Sequence, residues 1–177
     1  KLLNDDYVKF ICFAQWRIQV TGCGILAFIT NHGYLDNPTF RGMRRSLMTT
    51  FDDIYVLDLH GNAKKKERCP DGSKDENVFE IQQGVAICLM VRTAAVHAGC
   101  QIRHAELFGM RKGKYAVLSE SNVGTTNWTV IAPQPAFYLF RPGETCFRPE
   151  YAECVAMTEI FKVGTSGVKT SRDSVAV

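Results

Sequence analysis

The residues able to do chemistry in this chain are few and scattered. Histidines stand at 32, 60, 97 and 104, with none of the spacings that place two ring nitrogens on one metal. They read as ordinary surface or loop histidines, and no metal site is expected. Asp58 closes an apolar run, where an acid would sit at the carboxyl edge of a sheet, the edge at which open α/β sheets hold ligands. Gly22-Cys23-Gly24 has the look of a dinucleotide fingerprint but precedes an apolar run instead of following one. It therefore cannot present a phosphate to a helix N-terminus and reads as a helix stop. The basic cluster Lys64, Lys65, Lys66 and Arg68 is a candidate for phosphate contact, partly offset by Glu67 and Asp71. Cysteines at 12, 23, 69, 88, 100, 146 and 154 include no pair separated by two residues. Their number is odd and several lie in apolar runs, so reduced structural thiols in a cytoplasmic protein are expected. No complete catalytic constellation is present.

The elements that must position these residues alternate. Acidic Asp5 and Asp6 open an apolar-periodic helix over 4–20, stopped by Gly22 and Gly24. A continuous apolar run at 24–30 predicts a strand covered on both faces, as in a parallel sheet flanked by helices. Asn37-Pro38 caps a second helix, whose Phe40, Met43, Leu47 and Phe51 turn inward and whose Arg41, Arg44 and Arg45 turn outward. A second strand is predicted at 54–59 and a third at 84–91. No helix separates these two, so they should pack antiparallel. The long polar segment between them is of the kind that carries function. Beyond residue 92, strands at 102–108 and 115–118 predict a hairpin, and 149–161 a weak helix.

Composition bounds the possibilities. The chain has 177 residues, 46% of them apolar and 22% charged, with a formal net charge of +3. These values exclude a disordered tail, a collagen-like fibre and a coiled coil. No apolar run reaches the roughly 18 residues of a membrane-spanning helix. No signal peptide is visible, and the chain opens at Lys1 as though cut from something longer.

Whole phrases carry a resemblance. NHGYLDNPTFRGMR at 31–44, IYVLDLHGN at 54–62 and DENVFEIQQGVAI at 75–87 occur together, densely over 2–92, with a fainter echo in VGTSGVKTSRD at 163–173. They resemble the N6-adenine DNA methyltransferase part of single-chain, type IIG-like restriction–modification enzymes. The resemblance implies an α/β fold, the second half of a doubly wound S-adenosylmethionine-dependent methyltransferase sheet with an antiparallel last strand, followed by a smaller β-containing extension. It divides the chain into 1–95, the C-terminal half of the catalytic domain; 96–142, a β-rich extension; and 143–177, the lead-in to a target-recognition region.

The function so implied is methyl transfer from S-adenosylmethionine to adenine N6 in double-stranded DNA by the parent enzyme. The family's glycine-rich cofactor motif and its Asn-Pro-Pro-Tyr catalytic motif have no counterpart here. No catalytic or cofactor-binding residue is therefore assigned, and the chain alone is expected to be inactive. One family residue has a match: the aromatic just before the antiparallel last strand, which stacks on the flipped base, falls on Phe79. Its polar neighbours Glu76, Asn77 and Glu80 favour exposure, whereas a core phenylalanine anchoring the loop is the alternative. Expected partners are double-stranded DNA, the missing N-terminal half of the domain and a second copy meeting an exposed sheet edge, with no membrane. The rival readings are a non-catalytic DNA-binding or assembly module on the same fold and an unrelated nucleotide-binding α/β enzyme, the latter weakened because no phosphate loop follows any strand.

Overall fold

The computed structural model describes residues 4–95, 99–143, 153–155 and 157–160. The chain divides into two units, Lys1–Pro142 and Gly143–Val177. In the second, the described residues include a short helix at Met157–Ile160. Of the helix expected at 149–161 only 153–155 and 157–160 are described. His97, Cys146 and the phrase at 163–173 lie outside the described residues.

The first unit is built on a five-stranded mixed sheet. Its strands are β1 (Gly24–Asn31), β2 (Asp53–Asp58), β3 (Val85–Arg92), β4 (Gln101–Glu106) and β5 (Thr129–Ile131), in the spatial order β1-β3-β2-β4-β5. β3 runs antiparallel to both β1 and β2, β4 pairs parallel with β2, and β5 closes the far side antiparallel to β4. The expected antiparallel pairing of the second and third apolar strands is present, in the register Val56↔Cys88. β1, β2 and β4 consequently all point their carboxyl ends to one edge.

Helices α1 (Asp6–Thr21) and α2 (Arg41–Thr50) contribute with one face of the sheet to the main core, in which Ile11, Ile18, Leu47, Ile54, Val56, Cys88, Met90 and Ile102 are buried. Gly22 ends α1 in the left-handed region at φ 83°, its N–H donating to Ile18 O at 3.0 Å, as the sequence predicted. The Asn37 side chain accepts from Thr39 N at 2.9 Å, the predicted cap ahead of Pro38. Gln15 of α1 reaches α2, its Nε2 donating to Thr50 Oγ1 at 2.7 Å. A smaller cluster of Leu59, Val78 and Val85, with Leu57, Ile87, Leu107 and Leu118 packed against it, draws α3 (Arg111–Glu120) to the sheet.

Three sequence expectations need correction. β1 is not covered on both faces: its exposure alternates, with Ile25 and Ile29 exposed, because the core packs only on the face that carries Leu26 and Phe28. The span 115–118 is not a strand but part of α3. Val117 and Leu118 are compatible with either state, and docking of Leu118 on the second cluster selects the helix, where tertiary contact outweighs weak propensity. Arg44 does not point outward, whereas Arg41 and Arg45 do.

Arg44 is 0% exposed and gathers backbone carbonyls. Its Nη1 donates to Tyr34 O (2.6 Å) and Asn37 O (2.9 Å), and its Nε and Nη2 to Phe137 O (3.0 and 2.6 Å), with Nε also reaching Tyr138 O (2.8 Å). The aromatic run at 137–140 thereby becomes a strap across the start of α2, pinned also by Phe140 N to Leu35 O at 2.9 Å. A planar guanidinium serves several acceptors in one plane; an ammonium cannot. Arg44→Met should cost about 3 kcal/mol, by stranding charge-assisted acceptors in the interior. The same change at exposed Arg45 should stay within about 0.5 kcal/mol. Urea midpoints of the two variants test this.

Candidate site at the carboxyl edge

The carboxyl ends of β1, β2 and β4 bring together side chains far apart in sequence. His32 follows β1 directly, Asp58 is the last residue of β2 with His60 two positions on, and Glu106 ends β4. Asp58 is the hub. Its Oδ1 accepts from His32 Nδ1 at 2.9 Å and from the backbone N–H of His60 at 2.9 Å. His60 adopts φ 54°, uncommon for a residue with a side chain, and donates from Nδ1 to Glu67 Oε1 at 2.8 Å. Asn62 completes the circuit: its N–H donates to Glu67 Oε2 at 2.9 Å and its Nδ2 to His32 Nε2 at 3.2 Å. That arrangement leaves the His32 proton on Nδ1, directed at Asp58. The imidazole of His60 stacks on Phe108, with ring centroids 3.7 Å apart and planes 16° from parallel.

Electrostatics follow from this packing. Burial alone would depress the His60 pKa, but Glu106, Glu67 and Asp58 outweigh it and hold the imidazolium up to about 9. Of the three, Glu67 is nearest at 2.8 Å and Asp58 farthest at 4.0 Å; His60 Nε2 lies 3.5 Å from Glu106 Oε1, within ion-pair range, yet makes no hydrogen bond. Burial pushes the Asp58 carboxyl up, but the His32 hydrogen bond and the His60 charge and backbone N–H bring it below the ordinary range. His104 on β4 is buried, and desolvation lowers its pKa against the pull of Glu106.

His32, Asp58 and His60 each offer a ligand atom, all within 4.8 Å of one another. Both Nδ1 atoms donate to carboxylates and His32 Nε2 accepts from Asn62, which ties the three side chains into one hydrogen-bonded circuit. The cluster is a hydrogen-bonded support for the loop. Two glycines show how tightly it is built. A Cβ at Gly84 would meet His32 Nε2 at 2.4 Å, and one at Gly61, where φ is 77°, would meet Asn77 Cα at 2.4 Å.

The support holds the long loop from β2 to β3. Lys114 of α3 and Asp75 form an ion pair at 2.7 Å with both side chains 0% exposed. Lys114 Nζ also donates to Leu59 O and Glu76 O, each at 2.7 Å. Asp75 accepts from Gly61 N (2.6 Å) and Gly109 N (2.8 Å). Asn77 donates to Gly61 O (3.1 Å) and Gln83 O (2.6 Å) and accepts from Phe79 N (2.8 Å). Every charge taken out of water here has several partners, without which such burial is prohibitive.

At the end of this scaffold stands Phe79, 44% exposed, with Ile81 exposed two positions on. A core phenylalanine would not be left so. Lys64 and Lys65 lie in a 3₁₀ turn, Ala63–Lys65, whose Asn62 cap accepts from Lys65 N at 3.1 Å. They, Lys66 and Arg68 are exposed, and Arg68 bonds Gly72 O at 3.1 Å. The structure thus brings the loop cations and Phe79 onto one loop, but not together in a pocket. The grouping of His32 and His60 was missed from sequence, where both read as ordinary surface or loop histidines. The available signal was positional, since each lies at the carboxyl end of a strand.

No family model matches the chain, and no curated protein does. Solved structures do. The chain is similar to part of a DrdV–DNA complex solved by cryo-electron microscopy, at 29% identity and TM-score 0.68, covering 80% of this chain and 14% of that one. It is similar to the ATP-dependent Type ISP restriction–modification enzyme LlaBIII bound to DNA, at 25% identity and TM-score 0.67, covering 82% of this chain and 10% of that one. It shares its fold with a nuclease-deletion mutant of the Type ISP restriction–modification enzyme LlaGI in complex with a DNA substrate mimic, at 20% identity and TM-score 0.69, covering 83% and 14% respectively. The chain therefore spans a small part of proteins that include restriction–modification enzymes. No helix among the described residues is long and apolar enough to cross a membrane.

The His60 network makes stability depend on pH. Because the folded pKa is raised above its unfolded value of about 6.5, the stabilisation is complete below about pH 6.5 and lost as pH rises through about 9. The loss should be roughly 2 kcal/mol, discounted because the Glu106 side chain is 48% exposed and screened. Thermal unfolding between pH 6 and 10 should show this slope, and His60→Gln should flatten it.

Proposed function

We propose that this chain is the C-terminal half of an N6-adenine-specific DNA methyltransferase domain belonging to a larger, single-chain, cytoplasmic restriction–modification enzyme. The observation that carries the reading is the insertion of β3 between β1 and β2, antiparallel to both, with an exposed Phe79 on the loop that leads into it. The sequence resemblance implied an antiparallel last strand, and β3 runs antiparallel to both its neighbours. The similar structures solved with DNA support DNA as the partner, read here as double-stranded.

In this reading the domain acts on a base flipped out of the duplex, because an amino group inside the stack cannot be reached. Phe79 supplies an aromatic face on which the flipped adenine stacks. Lys64, Lys65, Lys66 and Arg68, exposed on the same loop, provide sequence-independent attraction to phosphates. S-adenosylmethionine is the methyl donor of the whole enzyme, but the residues present here do not form its site. β1 leads straight into the 3₁₀ turn His32–Leu35, and β2 into the closely packed His60-Gly61 turn, so neither strand is followed by an open glycine-rich loop. The rest of the domain must hold the cofactor and the catalytic motif.

The 177-residue chain alone should therefore fail to bind S-adenosylmethionine in calorimetric titration; micromolar affinity would overturn the assignment of the cofactor site to the missing half. In the whole enzyme, Phe79→Ala should weaken capture of a 2-aminopurine placed at the target base by roughly 5- to 150-fold, the worth of one base–aromatic stack. Since the ring is exposed, its melting temperature should change little, and Phe79→Trp should retain much of the capture. Normal flipping by the alanine variant would remove the stacking role from Phe79.

A further inference from the structure

The loop that presents Phe79 does not set its own conformation, because α3 holds it at consecutive residues. Arg111 N donates to Glu76 Oε2 at 3.2 Å, Arg111 Nε to Asn77 O at 2.8 Å and Arg111 Nη2 to Phe79 O at 3.1 Å. Tyr115 Oη donates to Val78 O at 2.5 Å. One turn of helix thus addresses the backbone from 76 to 79. The buried Lys114–Asp75 pair fixes that turn against the end of β2. Tyr115 is 50% exposed, so its hydroxyl bond to the loop, and not burial of its ring, is its main engagement. A stacking platform needs its ring plane fixed before the base arrives, since any freedom lost on binding is subtracted from affinity.

We propose that Arg111 and Tyr115 of α3 are positioning residues for base capture, acting through the backbone of residues 77–79 to set the pose of the Phe79 ring. This rests on the reading of Phe79 as the stacking aromatic, and it assigns to the segment after β4 a part in handling the target base. Neither residue touches the base. Their contribution is to the orientation of a ring that does, so it vanishes when the ring is removed.

The test is a set of double-mutant cycles in the whole enzyme, read by 2-aminopurine fluorescence at the target base and by melting temperature. Arg111→Lys keeps the charge and loses the fork that reaches Asn77 O and Phe79 O. Tyr115→Phe keeps the ring and loses only the hydroxyl, which guards against an Arg111 variant that fails to fold. Each should weaken capture about fivefold, the ordinary size of coupling between residues in contact, with the melting temperature moved by less than about 3 °C. In a Phe79→Ala background neither should weaken capture further. Losses that persist in full in that background would overturn the proposal, because the two residues would then act elsewhere, for instance on a phosphate. Normal capture in both variants, beside a defective Phe79→Ala, would overturn it while leaving the stacking role intact. A loss that merely tracks the fraction unfolded in both variants would overturn it as well. An inert Phe79→Ala would remove the stacking role and this proposal together.

Discussion

One constraint organises this molecule: β3 enters the sheet between β1 and β2 and runs against both. Because β1, β2 and β4 run the same way, their carboxyl ends share one edge, and β3 must begin at that edge. The chain therefore leaves β2 and returns to β3 on the same side. The intervening residues form a long loop over the carboxyl edge instead of a crossover helix on a face. That loop carries the exposed aromatic and the cations, and all that is distinctive about the site follows from keeping it in place.

A long polar loop is costly to order unless its backbone and charges find partners. Here they do so in two tiers. Beside β1 and β2, Asp58, His32, His60, Asn62 and Glu67 form a closed hydrogen-bonded circuit around the first residues of the loop. Farther along, the buried Lys114–Asp75 pair and the Asn77 side chain tie its middle to the loop start and to α3. Both tiers rely on ionised groups in the interior, where each is stabilised only by several well-placed partners. Buried charges that each have several partners resist rearrangement, which favours rigidity in the loop.

That rigidity suits the proposed role. Binding groups held by a packed support lose little freedom when a ligand arrives, and they reject ligands of the wrong shape. The same logic accounts for the strap at residues 137–140, where Arg44 collects carbonyls that would otherwise be left unpaired in the interior. The edge strand β1 differs: Ile25 and Ile29 are exposed, as are Phe10, Phe13 and Trp16 of α1. An apolar surface of this kind on an edge strand and its neighbouring helix is suited to being covered by further structure.

The sequence by itself determined the elements and their local ends. The apolar runs specified β1, β2 and β3, Gly22 stopped α1, and Asn37-Pro38 started the turn before α2. All of these rest on interactions within a few residues. The absence of a helical pattern between β2 and β3 was enough to predict their antiparallel pairing. Whole phrases, read as a resemblance, pointed to Phe79, which the structure leaves exposed. Only the tertiary structure decided the rest. Arg44 shares the buried face of its helix with Leu47, and the carbonyls that pair its charge, those of Tyr34, Asn37, Phe137 and Tyr138, come from segments outside that helix. The span 115–118 suits a strand or a helix, and its contacts chose the helix. His32 and His60 lie 28 positions apart and meet because two strand ends share an edge. Periodicity reports which face of an element is apolar. It carries no record of which distant carbonyl or carboxylate a buried cation will find, since that depends on chain crossings that no local pattern encodes.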